Sequence, residues 1–267
     1  ECKEVCDPKF QYDSSNCAGD KVLTGNSCGG KFENCEAKVK AGDLLLADKT
    51  TVPYEQYTET IRDKVIAVVF DPEKRLAVSR HADTSSYSWG PSGEDPREIS
   101  RMNDVPALLN CTANDKDYSS CPADGEQNSA IVKAHEESTS AFYYLFSSTR
   151  SHRISYNASE QQLWFYQKWF VPSVAELMTL QNNYDAVAKS LKLYGYNLKG
   201  SYWSSNEYSY SGATVPVKDS DTWDAIYVNI GPNYGFHIGH NYRANINFSD
   251  SEGWINAQIK SLPTIKF

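Results

Sequence analysis

The residues best equipped for chemistry in this chain are its five histidines, its seven cysteines and one cluster of carboxylates. His237 and His240 frame the tetrapeptide His237-Ile238-Gly239-His240, which spells the signature of class I tRNA synthetases. In those enzymes it follows the first strand of a nucleotide-binding fold near the N-terminus. Here it stands late in the chain, no Lys-rich partner motif follows, and the net charge is −8. The match is read as coincidence. A metal site from the same pair is disfavoured, because positions three apart on a strand face opposite ways. Asp219, Asp221 and Asp224, with Glu207 upstream, supply oxygen ligands, yet an acidic, solvated turn is the better reading than a calcium cage. Catalytic constellations are missing: there is no Gly-x-Ser-x-Gly, no His-Glu-x-x-His and no Gly-rich phosphate loop. His135-Glu136-Glu137 lacks a second histidine four residues from the first. No enzymatic activity, metal or cofactor is expected.

Residues 202–260 suggest a surface instead. They read as strands joined by segments rich in Tyr, Asn, Gly, His and Ser. Ile226, Val228 and Ile230 alternate with Ala225, Tyr227 and Asn229, the pattern of a half-buried strand. Near the end, Trp254, Asn256, Gln258 and Lys260 alternate with Ile255, Ala257 and Ile259. The intervening stretch is polar, aromatic and almost uncharged, the composition of a recognition surface more than of a catalytic pocket. Its aromatic residues are too many for so short a span to bury, and a cluster of exposed aromatics marks a binding site. The candidate ligand-binding residues are Tyr208, Tyr210, Tyr227, Asn229, Asn233, Tyr234, Phe236, His237, His240, Asn241, Tyr242, Arg243 and Asn245. They are expected to be exposed and close together. Trp203 is read as core, with Ser204 and Ser205 satisfying nearby backbone.

Residues 224–251 have a second peculiarity: none of these 28 residues is Glu, Gln, Lys, Met or Trp. Those five types supply 50 of the 267 residues, so about five were due here on the chain's own composition. They are also the types that no codon ending in a pyrimidine encodes.

Five of the seven cysteines, Cys2, Cys6, Cys17, Cys28 and Cys35, fall in the first 35 residues, and Cys111 and Cys121 bracket a polar stretch. So short and polar a segment needs staples to hold a fold. No CxxC pair exists, and spacings of four, eleven, eleven and seven residues do not suit zinc. Disulfides and an oxidising, extracytoplasmic setting are expected. Asn34-Cys35-Glu36 resembles Glu1-Cys2-Lys3, so Cys2 is read as the last cysteine of a preceding module. Cys6, Cys17, Cys28 and Cys35 then form one four-cysteine module over residues 1–39, with three pairings open, and Cys111 is expected to pair with Cys121. The chain opens without a signal-peptide pattern, which suggests a mature or trimmed form.

The elements that must position these residues follow from pattern. Residues 65–70 and 75–80 read as a hairpin around Asp71-Pro72-Glu73-Lys74, with Pro72 suited to the second turn position. Residues 81–125 read as a long polar loop. A first helix begins near Glu126, with Ile131, Ala134, Ser138 and Ala141 on its apolar face, extended by Phe142 and Leu145. A second begins at Ser173-Val174-Ala175-Glu176, a capping box, and breaks around Asn182-Asn183, with Gly195 as a C-terminal cap. Strands, two main helices and strands again predict an α+β domain with antiparallel sheets over residues 40–267. An apolar fraction of 40% suffices for a core, and no run approaches the roughly 18 apolar residues of a membrane helix. The acidic balance argues against nucleic-acid binding.

Phe170-Val171-Pro172-Ser173 with Glu176-Leu177, then Tyr202-Trp203-Ser204-Ser205, then Ala225-Ile226-Tyr227-Val228-Asn229 resemble the motifs of a bacterial family. Its members carry the C-terminal domain of collagen-like adhesins and have a C-type-lectin-like fold. Gly42-Asp43-Leu44 and Val68-Val69-Phe70-Asp71 with Arg75-Leu76-Ala77-Val78 resemble an N-terminal part of gut-bacterial members, so the likeness covers roughly residues 40–260. Trp254-Ile255-Asn256 departs from the family's closing Tyr-Val-Arg strand, and residues 245–251 read as inserted. The Glu-Pro-Asn and Trp-Asn-Asp triplets of calcium-dependent lectins are absent. Sulfatase-activating oxidases share the fold but need cysteines near their C-terminal site, and no cysteine follows Cys121. The resemblance implies a secreted or cell-surface adhesin or receptor that binds a protein or glycan on another surface, without membrane insertion. It also includes proteins diversified by retroelements, in which Asn codons ending in a pyrimidine become NNY codons; that would explain the missing residue types. The alternative is a structural surface-assembly or stalk-tip module.

Overall fold

All seven residues of Val65–Asp71 are buried, the mark of a strand covered on both faces. The computed structural model describes residues 21–24, 34–81, 89, 118–119, 121–139, 145, 149, 152, 163–207, 224–232, 237–242 and 259–267, with backbone alone for 21–24, 34–37, 135–139, 207, 224 and 237–242. The chain separates into two compact units, Glu1–Lys40 and Ala41–Phe267. In the first, strands β1 (Lys21–Thr24) and β2 (Asn34–Ala37) pair antiparallel, with Cys35 opposite Leu23. Cys6, Cys17 and Cys28 lie outside the described residues.

The second unit is mixed α+β. Its strands are β3 (Leu44–Leu46), β4 (Thr51–Val52), β5 (Val65–Asp71), β6 (Leu76–Ser79), β7 (Gly200–Glu207), β8 (Asp224–Ile230), β9 (His237–Tyr242), β10 (Ile259–Lys260) and β11 (Thr264–Lys266). The α-helices whose bounds fall among the described residues include α1 (Gly125–Thr139), α2 (Val174–Asn182) and α3 (Tyr184–Leu191). One sheet has the order β11-β6-β5-β3-β4 and is antiparallel throughout. The other has the order β10-β7-β8-β9, antiparallel except where β10 runs parallel to β7. Helix α2 packs against β5, β7 and β8, and so joins the two sheets. Leu44, Val68 and Phe70 from the first sheet, Leu177, Met178 and Leu191 from α2 and α3, and Tyr202, Ile226, Val228 and Ile230 from the second make one apolar core. Each fully buried aliphatic side chain in it stabilises the fold by about 1.5–3 kcal/mol.

The β5–β6 hairpin forms as expected, one residue displaced. Asp71 ends β5, and its Oδ1 accepts the backbone N–H groups of Glu73 and Lys74 at 3.1 and 3.0 Å. Arg75 has a left-handed φ of 57° and belongs to the turn, so β6 starts at Leu76. The break around Asn182-Asn183 is present: Asn183 is at once the C-cap of α2 and the N-cap of α3. Gly195 closes the 3₁₀ turn after α3 with φ 74°.

Two expectations need correction. The buried stripe of α1 is Gly125, Asn128, Ser129 and Val132, whereas Ile131 is only partly buried and Ala134 is exposed. A polar stripe can face inward here because its groups find partners, which apolar periodicity does not register. On β8 the expected alternation holds from Ile226 to Ile230, with Tyr227 and Asn229 half-buried, but Ala225 departs from it. Opposite the main core, Ala225 is fully buried among Trp89, Val132, Leu145, Val171, Trp203 and Ile259, a second apolar cluster. Trp89 comes from the stretch read as polar loop, and its Nε1 donates to the Ser204 carbonyl at 2.7 Å. The strands β3, β4 and β11 carry no clear alternation because they are too short to show a period.

Candidate ligand-binding face

Strands β8 and β9 pair in regular register, with Asn229 opposite His237, Tyr227 opposite Gly239, Ala225 opposite Asn241 and Asp224 opposite Tyr242. His240 pairs with Ile226. Four of the candidate residues, His237, His240, Asn241 and Tyr242, thus stand on β9, the last strand of its sheet among the described residues. Tyr208, Tyr210, Asn233, Tyr234, Phe236, Arg243 and Asn245 lie outside the described residues.

The two candidates on β8 are half-buried rather than exposed. Tyr227 meets Trp203 edge-to-face, with ring centroids 6.2 Å apart at 88°, and burial raises its phenol pKa. Its register partner Gly239 has no side chain to cover it. Asn229 Oδ1 accepts the Ser201 hydroxyl at 2.5 Å across the β7–β8 pair. Tyr227 packs against the second apolar cluster, which accounts for its partial burial, and Asn229 is held by Ser201 of β7.

The support under this face comes from a bulge. The register of β7 against β8 shifts between Trp203 and Glu207, so that Ser204, Ser205 and Asn206 break the alternation and all become fully buried. Each is satisfied. Ser204 Oγ donates to the Ile226 carbonyl at 2.9 Å, Ser205 Oγ accepts from Asn128 Nδ2 at 2.9 Å, and Asn206 Oδ1 accepts the Val174 N–H at 2.9 Å. Asn206 and Asn128 both donate to the Pro122 carbonyl, at 2.9 and 3.2 Å. Trp203 is core, 2% exposed, as its position at the start of a central strand suggested.

At the other end of the network, Ser173 and Glu176 form the capping box of α2. Glu176 does more than cap its own helix. Its carboxylate accepts the Ser173 N–H at 2.7 Å and the Gly125 N–H at 3.2 and 3.3 Å, so it also holds the first residue of α1. Burial raises its pKa, and the backbone donors at Ser173 and Gly125 oppose that rise. A Cβ at Gly125 would stand 2.5 Å from Glu176 Oε2 and 2.6 Å from the Val171 carbonyl oxygen, so only glycine fits there. The segment after β8 is held in turn by Gln181 of α2. Its Nε2 donates to the Gly231 carbonyl at 3.0 Å and its Oε1 accepts the Gly231 N–H at 2.9 Å.

One pair with catalytic spacing escaped the sequence reading. Ser79 Oγ and His152 Nε2 are 2.6 Å apart, close enough for nucleophile and base. Ser79 is 1% exposed and its Oγ also accepts the His81 N–H at 3.1 Å, so no substrate reaches it. The pair is a clasp, and their separation of 73 positions hid it. His81 itself has a lowered pKa, through burial first and the Arg80 charge second. Tyr194 Oη is buried with no hydrogen-bond partner among the described residues, beneath the guanidinium groups of Arg62 and Arg80 at 5.7 and 5.5 Å from its ring. Burial, and next the charge of Tyr57, push this phenol up to about 12.

Cys121 is a buried disulfide cysteine, and Cys111 lies outside the described residues. Among the described residues no group of three or more His, Cys, Asp or Glu side chains is placed to hold a metal ion. No helix among them is long and apolar enough to cross a membrane. No protein-family model, curated protein or solved structure matches the chain.

Proposed function

We propose that the second unit is a C-type-lectin-like binding domain of a secreted or cell-surface adhesin, preceded by a disulfide-stapled Cys-rich module. In this reading it presents Tyr208, Tyr210 and the Tyr-, Asn- and His-rich residues of 233–245 to a protein or glycan on another surface. One observation carries the reading: the strand that introduces this segment is fastened from both faces and at its end. Ile226, Val228 and Ile230 are fully buried in the main core, Ala225 in the second cluster, and Gln181 clamps Gly231 where β8 stops. A scaffold so fixed can carry a changing set of polar and aromatic side chains without losing its fold, which is how recognition segments on rigid domains work. The absence of five residue types from 224–251 supports retroelement diversification of this same segment.

The test is a triple variant, Tyr234→Ala, Phe236→Ala and Tyr242→Ala, screened beside the parent chain on glycan arrays and displayed cell-surface proteins. The parent is expected to bind a defined ligand and the variant to lose it, with melting temperatures nearly equal. A fall of many degrees in the variant would place these residues in the core. Binding unchanged by the substitutions would move the ligand elsewhere.

A further inference from the structure

A cleft of about 540 Å³ lies away from β8 and β9, and none of its lining residues comes from either strand. Its volume is within the roughly 300–1,000 Å³ of small-molecule sites. One wall is basic: Lys74 and Arg75 come from the β5–β6 turn and Lys266 from β11, whose pairing with Leu76 sets it beside that turn. Glu73 offsets one of these charges. Asp124 and Glu126, from the start of α1, bring acidic groups to the same lining. Glu176 and Phe170 also line the cleft and are the buried part of it, both 3% exposed.

The fold leaves much of this charge unused. Among the described residues no hydrogen bond or ion pair engages the side-chain charges of Lys74, Lys266 or Glu126. Glu176 Oε2 takes the Ser173 N–H at 2.7 Å, whereas Oε1 has only the longer contact to Gly125 at 3.3 Å. A carboxylate oxygen has two lone pairs, so Oε1 keeps acceptor capacity beside the cleft. A purely anionic ligand would meet the carboxylates, and a purely cationic one the basic wall. A molecule with both charges at its two ends meets neither penalty.

We infer that this cleft binds a small zwitterion of amino-acid or dipeptide size, its ammonium toward Glu176 and Glu126 and its carboxylate toward Lys74 and Lys266. Phe170 and Leu76 supply the apolar contact for its side chain. The site is independent of the adhesin reading and stands or falls without it.

The test uses the full chain, ¹⁵N-labelled, titrated with free amino acids and glycyl dipeptides, and with propylamine and propionate as single-charge probes. At least one zwitterion should shift the amides of Gly125 and Lys266 saturably, and both single-charge probes should bind about tenfold or more weakly. The Lys74→Ala/Lys266→Ala variant alters exposed positions only and should keep its melting temperature, yet lose about tenfold or more in zwitterion affinity. No saturable shift from any zwitterion overturns the inference. So does a single-charge probe that binds equally well, or a double variant that binds as the parent does.

Discussion

The carboxylate of Glu176 accepts the backbone N–H of Gly125 at 3.2 and 3.3 Å, joining the first residue of α1 to a helix that starts 49 positions later, at Val174. The same group caps its own helix through Ser173. Two helix starts thus share one buried acid, and the negative charge sits at the positive end of both macrodipoles.

Removing that acid should be costly. Glu176→Ala leaves two buried N–H groups without their acceptor, at about 1–3 kcal/mol each. Gly125→Ala forces a methyl group to 2.5 Å from Glu176 Oε2 and should destabilise comparably. Urea unfolding of both variants measures this. A loss below about 1 kcal/mol in either would mean the junction relaxes around the change.

The pH dependence of this group has a definite sign. Its folded pKa is raised above the ordinary value of 4.5, so the folded chain binds the extra proton. The associated stability is fully present below pH 4.5 and is lost as pH rises through the folded value. Glu176→Gln cannot titrate, so the stability of the parent relative to this variant should be greater at pH 4 than at pH 7. His81 acts oppositely. Its folded pKa is lowered from 6.5, so its contribution is present above pH 6.5 and is lost as pH falls toward the folded value. A His81→Gln chain should lose less stability than the parent between pH 7 and pH 5. A parallel pH profile in either variant would contradict the assignment.

Tyr227 should behave unlike the tyrosines of the proposed face. It packs edge-on to Trp203 at 6.2 Å and is half-buried. Tyr227→Ala should cost about 1–3 kcal/mol, whereas Tyr234→Ala should be nearly neutral for stability. Thermal unfolding of the two single variants separates them, and equal melting temperatures would remove the distinction.

Cys121 should pair with Cys111. Closing so short a loop restrains the unfolded chain by about 3 kcal/mol on loop-closure entropy. Mass mapping of non-reduced peptides checks the pairing, and a free thiol at Cys111 would refute it.

If retroelement diversification made residues 224–251, close gene copies should differ there and at template adenines, while Ile226, Val228 and Ile230 stay fixed. Their full burial is the reason for that constancy. Sequencing any near-identical copy beside the gene decides it. Differences scattered evenly through the gene would leave an ordinary adhesin.

The sequence alone determined what rests on local chemistry. Ser173 and Glu176 announce a helix start because the cap is built from residues three apart, and Asn183 and Gly195 mark breaks for similarly local reasons. The alternation of Ile226, Val228 and Ile230 named β8 and its core side. Only the tertiary structure decided what covers the other side. Trp89 and Val132 come from distant segments, and their arrival buries Ala225 and half-buries Tyr227. The polar stripe of α1 is inward for the same reason: Asn128 reaches Ser205, 77 positions away, and a buried amide is tolerated once it is hydrogen-bonded. Burial of a polar group depends on partners that approach through space, and no spacing along the chain encodes them.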